Sequence, residues 1–157
     1  MGDIKMKINI VAVGKIKDDF LKAAVEEYKK RISRFAEISV IELPEAPPSK
    51  SEAEQIAFES GEIFPNLKGV IIATDIDGKQ LSSKDFSSFI ESKCVSGESE
   101  FTFVIGGSYG LDDKIKNSAA LRLSFSKMTF PHQLFRVMLC EQIYRALTIK
   151  NNLPYHK

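Results

Sequence analysis

The sequence predicts an α/β domain with a mainly parallel sheet flanked by helices. Short apolar runs of strand length alternate with amphipathic stretches of helix length along the chain. The 157 residues suffice for one domain with a substantial core, and 43% hydrophobic with 27% charged residues is typical of globular proteins. No apolar run approaches the roughly 20 residues of a membrane span, and no signal-peptide pattern opens the chain. We therefore expect one cytoplasmic domain over residues 6–157, with residues 1–5 interpreted as an extension or an alternative start.

The amino-terminal part predicts a strand, a helix and a second strand. Residues 5–14 (KMKINIVAVG) become continuously apolar, as in a buried strand. From Asp18, apolar residues recur at the spacing of one helical face. This face consists of Leu21, Val25, Tyr28, Ile32 and Phe35. Residues 38–43 predict the second strand.

The middle of the chain predicts a strand between two further helices. Ser51 and Glu54 have the form of a capping box, which would start a helix reaching about Ile63. The apolar residues 68–76 predict the third strand, and Asp77-Gly78 predicts a tight turn after it. An amphipathic helix follows, marked by Phe86, Phe89 and Ile90.

Two loops stand out in the last third of the chain. The apolar run 101–105 predicts the fourth strand and leads into GGSYG at 106–110, which we call the glycine loop. Residues 121–125 predict the fifth strand and lead into SKMTFPH at 126–132, which we call the polar loop. Both loops leave backbone close to open space, as a ligand site requires.

The last helix is predicted from Pro131, which suits a first helical turn, to about Lys150. One apolar stripe consists of Val137, Cys140, Tyr144 and Leu147. Further apolar residues extend this stripe round most of the first half: Leu134, Phe135, Met138 and Leu139. A helix that is apolar on nearly all sides must be covered by its own domain and by something else. A homodimer partner is the simplest candidate.

The cysteine and histidine content argues against a metal site, and the distribution of charge indicates the kind of partner. Cys94 and Cys140 lack a paired metal-binding spacing, and the chain has only two histidines, so we expect reduced thiols and no metal site. Residues 37–100 carry five Lys/Arg and thirteen Asp/Glu, whereas residues 101–157 carry eight and three. The basic carboxyl-terminal third suits an anionic partner, although a merely solvated basic surface explains the charge equally well.

The glycine loop allows backbone N–H groups to approach a ligand closely. It matches neither GxGxxG nor GxxxxGK[ST], so neither a dinucleotide-binding fold nor a P-loop NTPase is supported. An ordinary turn remains an open alternative for this loop.

The polar loop and the end of the chain contain the remaining candidate groups. The polar loop places hydroxyls, an amine and an imidazole at a helix N-terminus, which suits an anion or polar ligand, but a simple capping cluster is the alternative. Glu141 and Arg145 have the favourable order for an i,i+4 ion pair, which could present a rigid guanidinium. Tyr155 and His156 could stack on a base and move a proton, or could belong to a frayed terminus.

Five segments carry distinctive motifs: FVIGGSYGL, LSFSKMTFPHQLFRVMLCEQIYRA, the terminal YHK, KINIVAVGKIK and DGKQLSS. Together they closely resemble the RlmH family of SPOUT methyltransferases, and the resemblance spans the chain from Met6. It implies a SPOUT-type fold with a carboxyl-terminal deep trefoil knot in an obligate homodimer. It also implies S-adenosylmethionine-dependent methylation of N3 of pseudouridine 1915 in 23S ribosomal RNA, on assembled ribosomes.

The same resemblance implies the site residues. The cofactor would contact Thr74, Gly106 and the segment Phe125, Ser126, Lys127, Met128, Thr129 and Phe130. Family members often have leucine where Thr74 stands, so that contact is expected through the backbone. Tyr109 stands where family members commonly have asparagine. Tyr155 and His156 match the family's terminal Tyr-His, which is placed on the substrate side.

A mechanism follows as a hypothesis. The enzyme would align the methyl group with N3 and remove the N3 proton, with His156 as the first candidate for base or orienter. Arg145 or His132 would stabilise the deprotonated base, and Tyr155 would stack beside it. The rival interpretations are a non-catalytic RNA-binding module, a SPOUT enzyme for tRNA, and a phosphate-ester enzyme. The last lacks an acidic metal cluster, since Asp112-Asp113 suits a helix N-terminus.

Overall fold

A computed structural model describes residues 5–156, whose centre is a sheet of five strands. The strands are β1 (Met6–Val13), β2 (Ala36–Leu43), β3 (Val70–Gln80), β4 (Glu100–Ile105) and β5 (Leu121–Ser124). The helices are α1 (Asp19–Ile32), α2 (Glu52–Ile63), α3 (Ser83–Val95), α4 (Asp113–Ser118) and α5 (His132–Lys150). Residues 1–4, within the predicted extension, and Lys157 of the YHK motif lie outside the described residues.

The strand order is β2-β1-β4-β3-β5, and every neighbouring pair is parallel. Helices α1, α3 and α5 pack on one face of the sheet, and α2 and α4 pack on the other. The predicted α/β fold with a parallel sheet is confirmed. All strands end at the same edge, so the loops after β3, β4 and β5 meet there. The trefoil knot stays a prediction, because strand order and register alone do not define the threading.

Local sequence signals explain where α2 begins and where α3 ends. The Glu54 amide donates to Ser51 Oγ at 3.2 Å and the Glu54 carboxylate accepts from the Ser51 amide at 3.4 Å, so the predicted capping box is present. Gly97 follows α3 with a φ of +96°, which only glycine adopts readily.

The predicted end of the third strand is wrong. Strand β3 continues past Ile76 to Gln80, and residues 75–78 bulge outward, because Thr74 and Lys79 both lie opposite Leu123 of β5. Asp77-Gly78 therefore belongs to this bulge and does not connect β3 to α3. Glycine is needed at 78 because a Cβ there would lie 2.6 Å from the Arg122 carbonyl oxygen.

The buried stripe of α5 also differs from the prediction. Val137 and Tyr144 are only partly buried, whereas Cys140 and Leu147 are buried as expected. The rest of the buried face consists of Leu139, Ile143 and Ala146, together with Arg136 and Thr148. Helix α5 contacts both α1 and α3, so two neighbouring helices as well as the sheet decide which of its residues are buried. Pro131 precedes the helix as its N-cap and does not lie in its first turn.

Both cysteines are free thiols. Cys140 is buried, which raises the pKa of its thiol to about 12, and Cys94 is partly buried. Within residues 5–156, no group of three or more His, Cys, Asp or Glu is placed to hold a metal ion. No helix in the same range is long and apolar enough to cross a membrane.

Candidate active site

A pocket of about 400 Å³ opens at the carboxyl edge of β3, β4 and β5. Its wall comprises residues 74–77, 105–110, 123–126 and 128–130, together with Lys116, His132 and Phe135. The glycine loop and the polar loop thus form one cavity, as parallel strands ending at a common edge require. A cavity of this size, with apolar walls and a few polar groups, suits a small organic ligand or cofactor.

The glycine loop is tightly folded. Gly107 and Gly110 form an isolated bridge, and the Gly110 amide donates to the Gly107 carbonyl at 3.0 Å. A Cβ on Gly106 would lie 2.9 Å from the carbonyl carbon and oxygen of Gly110, so a side chain there would force the loop apart. Ser108 and Tyr109 occupy the exposed tip. The loop brings bare backbone to the pocket wall, which is the property predicted for it.

The end of β3 forms the opposite wall. The Thr74 hydroxyl donates to the Val104 carbonyl at 2.8 Å, so the side chain already has a partner and joins β3 to β4. The Asp75 side chain is only 7% exposed, and its Oδ1 accepts from the Asp77 amide at 3.1 Å. Its Oδ2 lies 3.7 Å from Lys116 Nζ, so an ion pair spans this wall.

Local hydrogen bonds shape the polar loop. Ser126 accepts at its carbonyl from Ser124 Oγ at 3.1 Å and at its hydroxyl from the Met128 amide at 3.0 Å. The Phe125 ring packs on Phe135 of α5 with 4.8 Å between centroids. Lys127 is exposed and is not part of the wall, so its side chain is free to reach outward.

Arg136 holds the first turns of α5 against the amino-terminal strands. Its side chain is 4% exposed, its Nη1 pairs with a carboxylate oxygen of Glu42, and its Nη2 donates to the Gly14 carbonyl at 3.0 Å. The same Glu42 oxygen accepts from the Ile16 amide at 2.9 Å. Burial disfavours the charged carboxylate, but the Ile16 amide and the guanidinium outweigh burial and hold the pKa of Glu42 below its ordinary value.

A second cluster of polar and aromatic groups lies at the other end of α5. Arg145 Nε donates to Glu141 Oε1 at 3.0 Å, which confirms the predicted i,i+4 ion pair. The Tyr155 hydroxyl donates to the same oxygen at 3.0 Å, and its ring contacts Tyr144 with 4.7 Å between centroids. The Arg145 guanidinium lies over the Tyr155 ring, 4.9 Å from its centroid. The tail is therefore held on α5.

Two properties of this tail cluster matter chemically. Burial, with hydrogen bonding to Tyr28 and Glu141, raises the pKa of Tyr155 to about 12, so its phenol stays neutral at physiological pH. Nδ1 of His156 is buried and has no hydrogen-bond partner among residues 5–156. A buried ring nitrogen without a partner is costly and is expected to find one in a complex.

The structure divides the predicted catalytic residues into two groups. His132, the first residue of α5, lines the pocket with the predicted cofactor residues except Lys127. Arg145 lies thirteen residues further along α5, so at 1.5 Å per residue it is about 20 Å from His132 along the helix axis. Tyr155 lies beside Arg145, and His156 follows it in the short 3-10 helix at residues 154–156. One copy of the chain therefore does not bring the two groups together.

The sequence prediction missed the charged pair in the pocket wall. Asp75 directly follows Thr74 at the carboxyl end of a buried strand, which is a position where parallel sheets commonly place ligand-binding groups. That signal was available. Lys116 carried no comparable signal, because its role depends on how the short helix α4 lies beside β3.

Comparison with known proteins identifies relatives of the whole chain. Residues 6–156 match the family model described as "Predicted SPOUT methyltransferase". The ribosomal RNA large subunit methyltransferase H of Clostridium tetani is 50% identical over 159 residues, covering 97% of this chain and 100% of that protein.

Two solved structures share the fold at low sequence identity. A probable methylase family protein from Haemophilus influenzae Rd KW20 superposes with a TM-score of 0.54 and 14% identity, covering 96% of this chain and 70% of that one. The SpoU methyltransferase AviRb from Streptomyces viridochromogenes, solved with its cofactor AdoMet, superposes with a TM-score of 0.50 and 9% identity, covering 98% and 61%. At these identities, the similarity concerns the fold.

Proposed function

The chain belongs to the SPOUT methyltransferase family, and we propose that it transfers a methyl group from S-adenosylmethionine to ribosomal RNA of the large subunit. The observation that carries this proposal is the joining of the glycine loop and the polar loop in one pocket, within a chain half identical to a named methyltransferase of that RNA. The finer target is N3 of a pseudouridine, pseudouridine 1915 of 23S rRNA, in the assembled ribosome. We take residues 6–157 as the single catalytic domain, acting in the cytoplasm.

The residues of the pocket fit S-adenosylmethionine. About 400 Å³ is within the usual range of roughly 300–1,000 Å³ for small-ligand sites. Phe125, Phe130 and Phe135 provide apolar surface for a purine, and the backbone of the glycine loop, which lines the wall, provides hydrogen-bonding groups. Asp75 and Lys116 provide charged groups for the amino-acid end. The cofactor, when bound, supplies an electrophilic methyl group on a positively charged sulfur.

The chain's own residues then have separate tasks. The two loops orient the methyl group, and we expect alignment of the reacting atoms to contribute most of the rate gain. His132 lies at the pocket and at the N-terminus of α5, where it can stabilise negative charge on the deprotonated target base. The basic residues of the last third hold RNA phosphates, so RNA binding weakens as salt increases.

The distant tail cluster acts in a homodimer. Arg145, Tyr155 and His156 lie about 20 Å along α5 from the pocket of their own chain, so a catalytic role requires a second copy to bring them to its partner's pocket. Some apolar residues of α5 are not fully buried, including Leu134, which is 41% exposed. These residues favour a symmetric contact between copies. The buried Nδ1 of His156 would gain its partner in that assembly or from the substrate.

The first experiment measures transfer of tritiated methyl groups to assembled ribosomes, free large subunits, naked rRNA and bulk tRNA. We expect label in the large-subunit RNA of assembled ribosomes. Label in tRNA alone would overturn the substrate assignment. Saturable cofactor binding without any label would favour a non-catalytic RNA-binding module.

A mixing experiment tests the shared site. Gly106→Ala disables the pocket and His156→Ala disables the tail, so each variant alone is expected to be inactive. If the tail acts on the partner's pocket, random mixed dimers contain one intact site and recover about a quarter of wild-type activity. No recovery, although mixed dimers form, would contradict a site completed by the partner.

A further inference from the structure

Glu59 places a buried carboxylate beneath the glycine loop. It lies on α2, is 6% exposed and accepts the Ala46 amide at its Oε2 at 3.2 Å. None of the ion pairs formed among residues 5–156 includes it. A buried carboxylate is costly unless a charge or hydrogen-bond donors compensate it, and the Ala46 amide is the one donor to Glu59 among residues 5–156.

The carboxylate lies directly against Gly107. A Cβ at Gly107 would be 2.4 Å from Glu59 Oε1 and 2.7 Å from Oε2, so a residue with a side chain would collide with the carboxylate. Gly107 is also part of the pocket wall. The negative charge is thus separated from the pocket by little more than the glycine backbone, and α2 itself contributes nothing to the wall.

The charged side chains Asp75, Asp77 and Lys116 of the pocket wall do not cancel the charge of Glu59. Asp75 and Lys116 largely neutralise each other across the wall, and Asp77 is exposed to water. A charge shielded from water by the protein acts over a longer range than an exposed one. The pocket should therefore favour a ligand with net positive charge.

We propose that Glu59 is a specificity-determining residue, whose charge acts through Gly107 to favour the cationic cofactor over its neutral product. This inference rests on the proposed use of S-adenosylmethionine. That molecule carries a net charge of about +1 at neutral pH, whereas S-adenosylhomocysteine, which lacks the methyl group, carries none. Loss of the sulfonium charge on methyl transfer removes the attraction, so the product leaves and the next cofactor binds.

The test measures equilibrium binding by calorimetry with three ligands: S-adenosylmethionine, S-adenosylhomocysteine and sinefungin, whose ammonium group replaces the methylsulfonium. Glu59→Gln retains the shape and the acceptor for Ala46 but removes the charge. We expect this variant to weaken the binding of S-adenosylmethionine and sinefungin about tenfold and to change the affinity for S-adenosylhomocysteine by less than about twofold. Glu59→Asp keeps the charge and should retain the preference for the cationic ligands.

Control measurements separate the outcomes. Glu37→Gln removes an exposed carboxylate near the amino-terminal end of β2, at the opposite edge of the sheet, and should leave all three affinities unchanged. Equal weakening of all three ligands by Glu59→Gln would indicate a purely structural role and overturn the inference, as would no change at all. Failure of the wild type to bind any of them would instead refute the proposed function.

Discussion

The ion pair between Glu42 and Arg136 is expected to stabilise the protein in a pH-dependent way. Glu42→Gln removes the charge, although the amide oxygen can still accept from both Arg136 and the Ile16 amide, which share one carboxylate oxygen in the wild type. Breaking a fully buried pair costs about 3–5 kcal/mol, but the Glu42 side chain is 34% exposed and water screens it. We therefore expect a loss of about 1–2 kcal/mol in the free energy of unfolding at pH 7.

The sign of the pH dependence follows from the lowered pKa of Glu42. A carboxyl whose pKa is lower in the folded than in the unfolded state contributes stability above the unfolded value of 4.5. This contribution disappears as the pH falls through the folded pKa, because the protonated carboxyl resembles glutamine. The stability difference between wild type and Glu42→Gln should therefore be constant from pH 7 to about 5 and shrink below 4.5.

Urea denaturation at a fixed protein concentration, repeated across this pH range, measures the difference. A fixed concentration is necessary because the stability of the proposed homodimer would depend on it. Glu37→Gln, on the same strand with an exposed side chain, provides the control and should differ little from wild type at any pH. A Glu42→Gln deficit that persists unchanged at pH 3 would refute the electrostatic reasoning and indicate a packing effect.

Three further variants test other parts of the structure. Gly106→Ala places a Cβ 2.9 Å from the Gly110 backbone and should weaken S-adenosylmethionine binding at least tenfold by calorimetry, with the far-UV circular dichroism unchanged. Tyr155→Phe removes the hydrogen bond to Glu141 and should lower kcat without altering cofactor affinity. Because the pKa of Tyr155 is about 12, the shape of the pH–rate profile between pH 6 and 9 should not change. Ile143→Ala empties a fully buried position and should cost about 2–5 kcal/mol in urea denaturation, whereas a loss below about 1 kcal/mol would mean that α5 is not packed as described.

The sequence predicted the order of strands and helices because the signals for them are local. The apolar run before Gly14, the capping box at Ser51 and the glycine after α3 depend on residues a few positions apart. The errors in the predicted ends of elements arise from contacts between residues that are distant in sequence. The continuation of β3 beyond Ile76 depends on pairing with β5, which lies some forty residues further along the chain.

The candidate site shows the same division. The sequence by itself determined that the glycine loop and the polar loop follow strands, and the resemblance of their motifs named the residues. Only the tertiary structure decided that these loops share one pocket, that Asp75 and Lys116 pair across it, and that Glu59 lies beneath Gly107. It also decided that Arg145 and the tail lie far along α5 from that pocket. The reason is physical: charges and cavities arise between elements distant in sequence, and their geometry depends on how those elements pack.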